Sequence, residues 1–410
     1  MKISMKTGFL LALFVLPVLA VPQQDSLAAI VQCVSRLTPK DIPLLRQKSL
    51  RGDPQAQFML GLAYSMGYGV KPDPAQALKW ISSAAGSGHM LAQNELGSMY
   101  ASGEGGFQDD SKAVEWFRKA AEQGYADAQY NLGTRYLLGS GTERDFESAA
   151  RWFTKAAEQG NPNAADALGR MSLFGDGVPT DEATAAKWFR LAAETGFAQG
   201  QYDLANLYIR GQGVPQDTAT ALQWLTKAAE QGNPQAETRL GNILCDGAGV
   251  PKNCVKGLRW LLRAAEKGDA EGQNSLGQRY LMGQGVTKNP TAAFSWFLKA
   301  AEQGMPDAQA AVAAMYKGGD GVTQSLRNAV GWYTKAAEQD NAKAQFNLAV
   351  MVAKGEGTPR NLTLAYQWLL IAQDRGQTDP NFRALLKDSL SADQLKIAQQ
   401  KAAEWLSRRP

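Results

Sequence analysis

Residues 196–231 read GFAQGQYDLANLYIRGQGVPQDTATALQWLTKAAEQ. From about Ala198 to Ile209 the apolar residues Leu204, Ala205 and Tyr208 share one face at helical spacing. Gly211, Gln212, Gly213, Val214 and Pro215 then form a turn, with glycine where positive φ is needed and Val214 folding back as an apolar plug. Asp217 is placed to cap a second helix by accepting from its free amides. On that helix Ala221, Trp224, Ala228 and Ala229 fall to one side. The alanines let helices approach closely, and the tryptophan fills the space beside them. Gly232 ends the helix where a left-handed residue is commonly needed. The stretch is therefore a helix hairpin.

The same hairpin recurs along the 410-residue chain. Trp80, Trp116, Trp152, Trp188, Trp224, Trp260, Trp296, Trp332 and Trp368 fall 36 residues apart. The residues matching Asp217 are Asp73, Asp109, Asp145, Asp181, Asn253, Asn289, Ser325 and Asn361, all able to cap. Proline opens the first helix at Pro54, Pro162, Pro234 and Pro306. One such unit cannot bury both its faces, so neighbours must stack. The expected fold is all-α: an α/α superhelical solenoid of nine 36-residue repeats over 52–375, with helical caps at 21–51 and 376–410. The 41 glycines are repeated turn chemistry. At the N-terminal cap, Thr38–Gly52 reads as a lone helix with Thr38 as cap and Pro39 at its start. No element is assigned to 21–37. At the other end, Asp379–Leu390 and Ser391–Leu406 read as helices. Ser391 and Gln394 form a capping box, and Trp405 covers the last open face.

Residues 1–20 carry Lys2 and Lys6, then an apolar run from Gly8 to Leu19 and small residues before a cut near Ala20. That is a secretory signal pattern. The mature chain is expected in the periplasm, or secreted, with no stable transmembrane span after cleavage. With 43 basic and 39 acidic residues the formal charge is +4, too little for a nucleic-acid partner.

The chain resembles the Sel1-like repeats, relatives of the tetratricopeptide repeat. The resemblance rests on units such as GNPQAETRLGNILCDGAGVPKNCVKGLRWLLRAAEKG, covering 52–375. Ser172, Leu244 and Val352 depart from the pattern at the first helix's tyrosine. Ala205, Ala313 and Ala349 depart at its first glycine. The resemblance implies an interaction scaffold or adaptor in envelope assembly, signalling or host contact, holding a protein, peptide or glycan. It also implies a concave face lined by the fourth, seventh, eleventh and fifteenth residues of each unit. The partner-binding candidates on that face are Tyr130, Arg170, Phe174, Tyr202, Asn206, Arg210, Asn242 and Gln278. Leu138, Asn274 and Met282 share those positions. Aromatic and arginine side chains together are typical of interaction hot spots.

Residues suited to catalysis are scarce. His89 is the one histidine, near the start of a helix, and reads as a capping or surface residue. No catalytic, metal or cofactor residues are assigned. Cys33, Cys245 and Cys254 lack metal spacing, and the glycine turns follow no strand, as a dinucleotide site requires. The alternative function is a peptidoglycan-related or β-lactam hydrolase-like enzyme, suggested by cysteine-rich relatives whose dense pairing is absent here.

Cys245 and Cys254 straddle one hairpin tip. Their Cα atoms are expected within the roughly 4.4–6.8 Å of a disulfide, in the oxidising compartment that export implies. The competing reading leaves both free, with Cys254 acidified at a helix N-terminus. Cys33 has no assigned partner.

Overall fold

The computed structural model describes residues 27–408, so the signal pattern and cleavage site lie outside the described residues. All regular elements among them are helices. The chain forms two compact units, one ending at Trp188 and the other beginning at Phe189. In the first unit, α1 (Leu27–Ser35) and α2 (Ile42–Leu50) precede hairpins α3 (Pro54–Met66)/α4 (Pro74–Gly86), α5 (Met90–Ser102)/α6 (Asp110–Glu122) and α7 (Ala126–Leu138)/α8 (Phe146–Glu158). They are followed by α9 (Pro162–Phe174) and α10 (Glu182–Glu194), which runs past Trp188.

The second unit continues with α11 (Ala198–Arg210)/α12 (Thr218–Glu230), α13 (Pro234–Asp246)/α14 (Cys254–Glu266) and α15 (Ala270–Met282)/α16 (Pro290–Glu302). Then come α17 (Pro306–Gly318)/α18 (Leu326–Glu338), α19 (Ala342–Lys354)/α20 (Leu362–Asp374), α21 (Pro380–Asp388) and α22 (Ala392–Ser407). The fold is the all-α solenoid class built from helix hairpins.

The local chemistry of the hairpin holds throughout. All nine expected caps accept from first-turn amides of the even-numbered helices α4 to α20. Gly141 shows why the turn needs glycine. Its φ is +74°, and a Cβ there would stand 2.1 Å from the Asp110 carbonyl oxygen of the preceding hairpin.

The tryptophans depart from expectation. Trp80 and Trp368 are buried, but the seven between them are only half-buried. The core position is the residue after the tryptophan: Phe117, Phe153, Phe189, Leu225, Leu261, Phe297 and Tyr333 are all buried. In the third hairpin Gly133 makes room for it: the Phe153 ring would lie 2.7 Å from a Cβ there. Six of these indoles, all but Trp188, are instead covered by a cation three residues on. Lys119 stands over Trp116, Lys155 over Trp152, Lys227 over Trp224 and Arg263 over Trp260. Such contacts add modestly at partly exposed sites.

A buried polar ladder joins the repeats. Gln129 Nε2 donates to the Ala121 carbonyl that ends the preceding hairpin (3.2 Å). Its Oε1 accepts from Gln159 at the end of its own hairpin (2.7 Å). Gln93/Gln123, Gln201/Gln231, Gln273/Gln303 and Gln309/Gln339 repeat the side-chain pair. Ser87 and Arg375 occupy the donor's position opposite Gln57 and Gln345, and those two Oε1 atoms are buried without a partner.

The ends bear out part of the reading. Asp379 caps α21, and Ser391 with Gln394 forms the capping box of α22. The helix expected from Pro39 starts only at Ile42. Thr38 donates its backbone N–H and its hydroxyl to Asp41 Oδ2 (2.8 and 2.6 Å), closing a turn first. Helix α1, unassigned from sequence, buries Ile30 and Val34 in the N-terminal core.

Candidate binding surface

The eight candidate residues lie on odd-numbered helices, three in the first unit and five in the second. In the first, Phe174 ends α9 with 75% of its surface exposed. Leu138 holds the same place on α7 and is also exposed. Arg170 is exposed, and its Nε donates to Asp166 Oδ2 one turn earlier (3.0 Å). Tyr130 is less available than expected. It is half-buried, its ring centroid 5.7 Å from that of Phe153.

In the second unit, Arg210 and Gln278 are exposed, and Asn206 is half-buried. Tyr202 rests against the core of α11 to α13 and is half-buried. Asn242 is drawn into a polar seam. Its Nδ2 donates to Ser275 Oγ (3.0 Å), and its Oδ1 accepts from Arg279 (3.3 Å). Arg279 also pairs with Asp246 at 2.9 Å. Sequence reasoning passed over Arg239, Ser275 and Arg279. One signal was present: Arg135 and Arg279 stand where the other seven repeats carry Ala63, Met99, Met171, Leu207, Ile243, Met315 and Met351. Arg135 likewise finds a carboxylate, Asp110, at 2.9 Å.

His89 is occupied as structure. Its Nδ1 accepts from the Ala92 amide (3.2 Å), and Nε2 lies 2.7 Å from Gln55 Oε1, which fixes Nε2 as the protonated nitrogen. Burial lowers its pKa, against smaller opposing effects from its backbone and Asp53. The neighbouring caps behave alike: Asn161, Asn233 and Asn341 each reach back to the preceding hairpin, at Asp127, Gln199 and Asp307. Glu95 on α5 has its carboxyl pushed up by burial and then by Glu104. Among the described residues no group of three or more His, Cys, Asp or Glu could hold a metal ion. No helix among them is long and apolar enough to cross a membrane.

Cys245 and Cys254 are disulfide-bonded. Their Cα atoms are 3.8 Å apart, closer than expected from sequence. The hairpin permits this because Gly257 replaces the alanine found at that place in the other eight repeats. A Cβ at 257 would stand 2.5 Å from the Gly241 carbonyl oxygen and 2.8 Å from Cys245 Sγ. Cys33 is half-buried against the N-terminal core.

The Sel1 repeat profile matches residues 54–89, 91–125, 126–161, 162–197, 198–233, 234–269, 270–305, 306–341 and 342–376. A similar solved structure is that of a protective antigen of uropathogenic Escherichia coli displaying an SLR fold. It is 31% identical with a TM-score of 0.58, over 94% of this chain and 95% of that one. A Sel1 repeat protein from Oxalobacter formigenes is 35% identical with a TM-score of 0.58, over 76% of this chain and 90% of its own. A search of curated protein sequences finds no match.

Proposed function

The chain belongs to the Sel1 repeat family, a protein-interaction scaffold fold, and on that premise we propose that it is an exported adaptor holding a protein or peptide partner on its odd-numbered helices. The observation that carries this is Phe174, held three-quarters exposed on a capped, well-packed helix, with Leu138 exposed at the same place on the preceding hairpin. Large apolar side chains fixed outward on rigid elements are what a partner needs for anchoring. The Cys245–Cys254 bond supports an oxidising compartment, such as a bacterial periplasm. An acid–base role for His89 finds no support, since Nδ1 caps α5 and Nε2 donates to Gln55.

The test is photo-crosslinking in cells with a photoreactive residue at position 174, and at Glu230 as an exposed even-helix control. A discrete adduct at 174 that Leu138→Ser weakens is expected. Equal labelling at 174 and 230 would sink the scaffold reading at this surface. Fractionation of the same cells checks export.

A further inference from the structure

The tips of the hairpins form a row along one edge of each compact unit. Successive tips seat their second glycine on the first residue of the preceding hairpin's second helix. A Cβ at Gly105 or Gly177 would meet Pro74 or Phe146, and one at Gly249 or Gly321 would meet Thr218 or Pro290. The two rows carry opposite charge. In the first unit the tip segments 65–76, 101–112, 137–148 and 173–184 hold ten carboxylates and three cations. In the second unit the matching segments 209–220, 245–256, 281–292, 317–328 and 353–364 hold four carboxylates and eight cations. Arg135, just outside these segments, neutralises one of the first set, Asp110. The other edge of the first unit shows no such imbalance: segments 82–93, 118–129 and 154–165 hold three carboxylates and three cations.

Capping does not require this difference. Aspartate and asparagine cap about equally well. Yet the first unit uses Asp73, Asp109, Asp145 and Asp181, while the last four hairpins use Asn253, Asn289, Ser325 and Asn361. Large apolar side chains also stand out along both rows. Phe107 is 96% exposed in the acidic one, and Val255 and Met282 are exposed in the basic one.

We infer that the acidic tip row of one copy of this chain docks on the basic tip row of a second copy. Opposed fields steer and orient such a contact. A second copy fits because both rows are built on the same 36-residue hairpin and so repeat at a common step. Exposed ion pairs contribute little by themselves; Phe107, Val255 and Met282 supply the apolar anchors. Each copy offers both rows, so the contact is heterologous. The inference goes beyond the scaffold reading and does not rest on it.

The protein purified from cells is followed by sedimentation over a range of concentrations. Reversible self-association is expected. It should be about tenfold or more weaker in about 1 M salt than in about 0.1 M, as the screening length falls from about 10 Å to about 3 Å. Two variants reverse charge at exposed side chains: Glu143→Lys with Glu147→Lys in the acidic row, and Lys252→Glu with Lys256→Glu in the basic row. Each alone should weaken association about tenfold or more and melt as the unaltered protein does. Should a reversal lower the melting temperature, Lys252→Gln with Lys256→Gln, which introduces no repulsion, reads the same loss in smaller measure. Mixed in equal amounts, the two reversed variants should associate again, because each keeps the row that the other has lost. Phe107→Ser should weaken association with the charges unchanged. A monomer at every concentration overturns the inference. So does association that either reversal leaves intact, or a mixture of the two variants that fails to associate. None of these outcomes touches the scaffold reading, which stands or falls on the adduct at position 174.

Discussion

The indole of Trp405 stands edge-on to that of Trp368, ring centroids 5.3 Å apart and planes at 66°. Trp368 belongs to the last hairpin, and Trp405 to the helix that follows it. The contact closes a face that every other hairpin offers to a successor. Asp340 fastens the same helix: its Oδ1 lies 3.4 Å from Trp405 Nε1. Asp340 does so from a φ of +66°, at a place where other repeats carry glycine. That conformation is unfavourable for a side chain.

Trp405→Ala should therefore cost about 1–3 kcal/mol, from lost apolar burial and the edge-to-face pair. The loss should concentrate in the terminal hairpin, since a repeat array can open from its ends. Hydrogen exchange should show α19 and α20 losing protection while α11 and α12 keep theirs. Uniform loss along the chain would contradict the capping role.

His89 makes stability depend on pH. Its folded-state pKa lies below the ordinary 6.5, mainly through burial. Above 6.5 the ring is neutral in both states and contributes no pH dependence. As pH falls below 6.5 the unfolded chain takes up a proton that the folded chain resists, so stability is lost until the folded pKa is reached. His89→Asn keeps a capping side chain, as Asn161 does in its own repeat, and removes the titration. Melting temperatures between pH 7 and 5 should fall less steeply in that variant. Parallel curves would refute this role.

Gly257 and the disulfide form one device. Gly257→Ala places a Cβ against the Gly241 carbonyl and Cys245 Sγ, and overpacking of this kind costs about 1–3 kcal/mol. The variant should carry alkylatable Cys245 and Cys254 thiols without prior reduction. The unaltered protein should show neither. A fully oxidised Gly257→Ala protein would show that the glycine is incidental.

What the sequence revealed, and what it hid, divides along the range of the interaction involved. The caps at Asp217 and its equivalents, the glycine turns and the 36-residue register are local, each set by a few neighbouring residues. The choice between Trp152 and Phe153 is not. Both are apolar and adjacent, and packing against another helix, closest at Gly133 in this hairpin, decides which enters the core. The candidate surface was legible as positions rather than as chemistry. Tyr130 and Tyr202 were expected to stand open to a partner, yet both lean on the core. Arg239 went unnoticed because its buried, unpaired Nε is a property of the packed molecule.

The sixth hairpin rewrites the buried ladder in charges, and this offers the most discriminating stability test. Glu237, fully buried, stands where Gln129 stands in the third hairpin, and Lys267 stands where Gln159 does. Lys267 donates to Glu237 (2.8 Å) and to the Gly232 carbonyl (2.9 Å), and Arg263 adds a second cation at 2.9 Å. Removing one member of a buried ion pair costs more than removing both, because the survivor keeps its desolvation penalty. Lys267 is partly exposed and Arg263 remains, so Lys267→Gln alone should cost only about 1–2 kcal/mol. Glu237→Gln alone removes the charged acceptor that both cations share, while its new amide gains the Ala229 carbonyl as an acceptor, the bond that Gln129 makes to Ala121. Making both changes recreates the Gln–Gln pair seen in five other hairpins. That double variant should return to within about 0.5 kcal/mol of the unaltered protein. The double-mutant cycle, run by urea denaturation, should then show coupling well beyond the sum of the single changes. Simple additivity would mean that the two residues act independently.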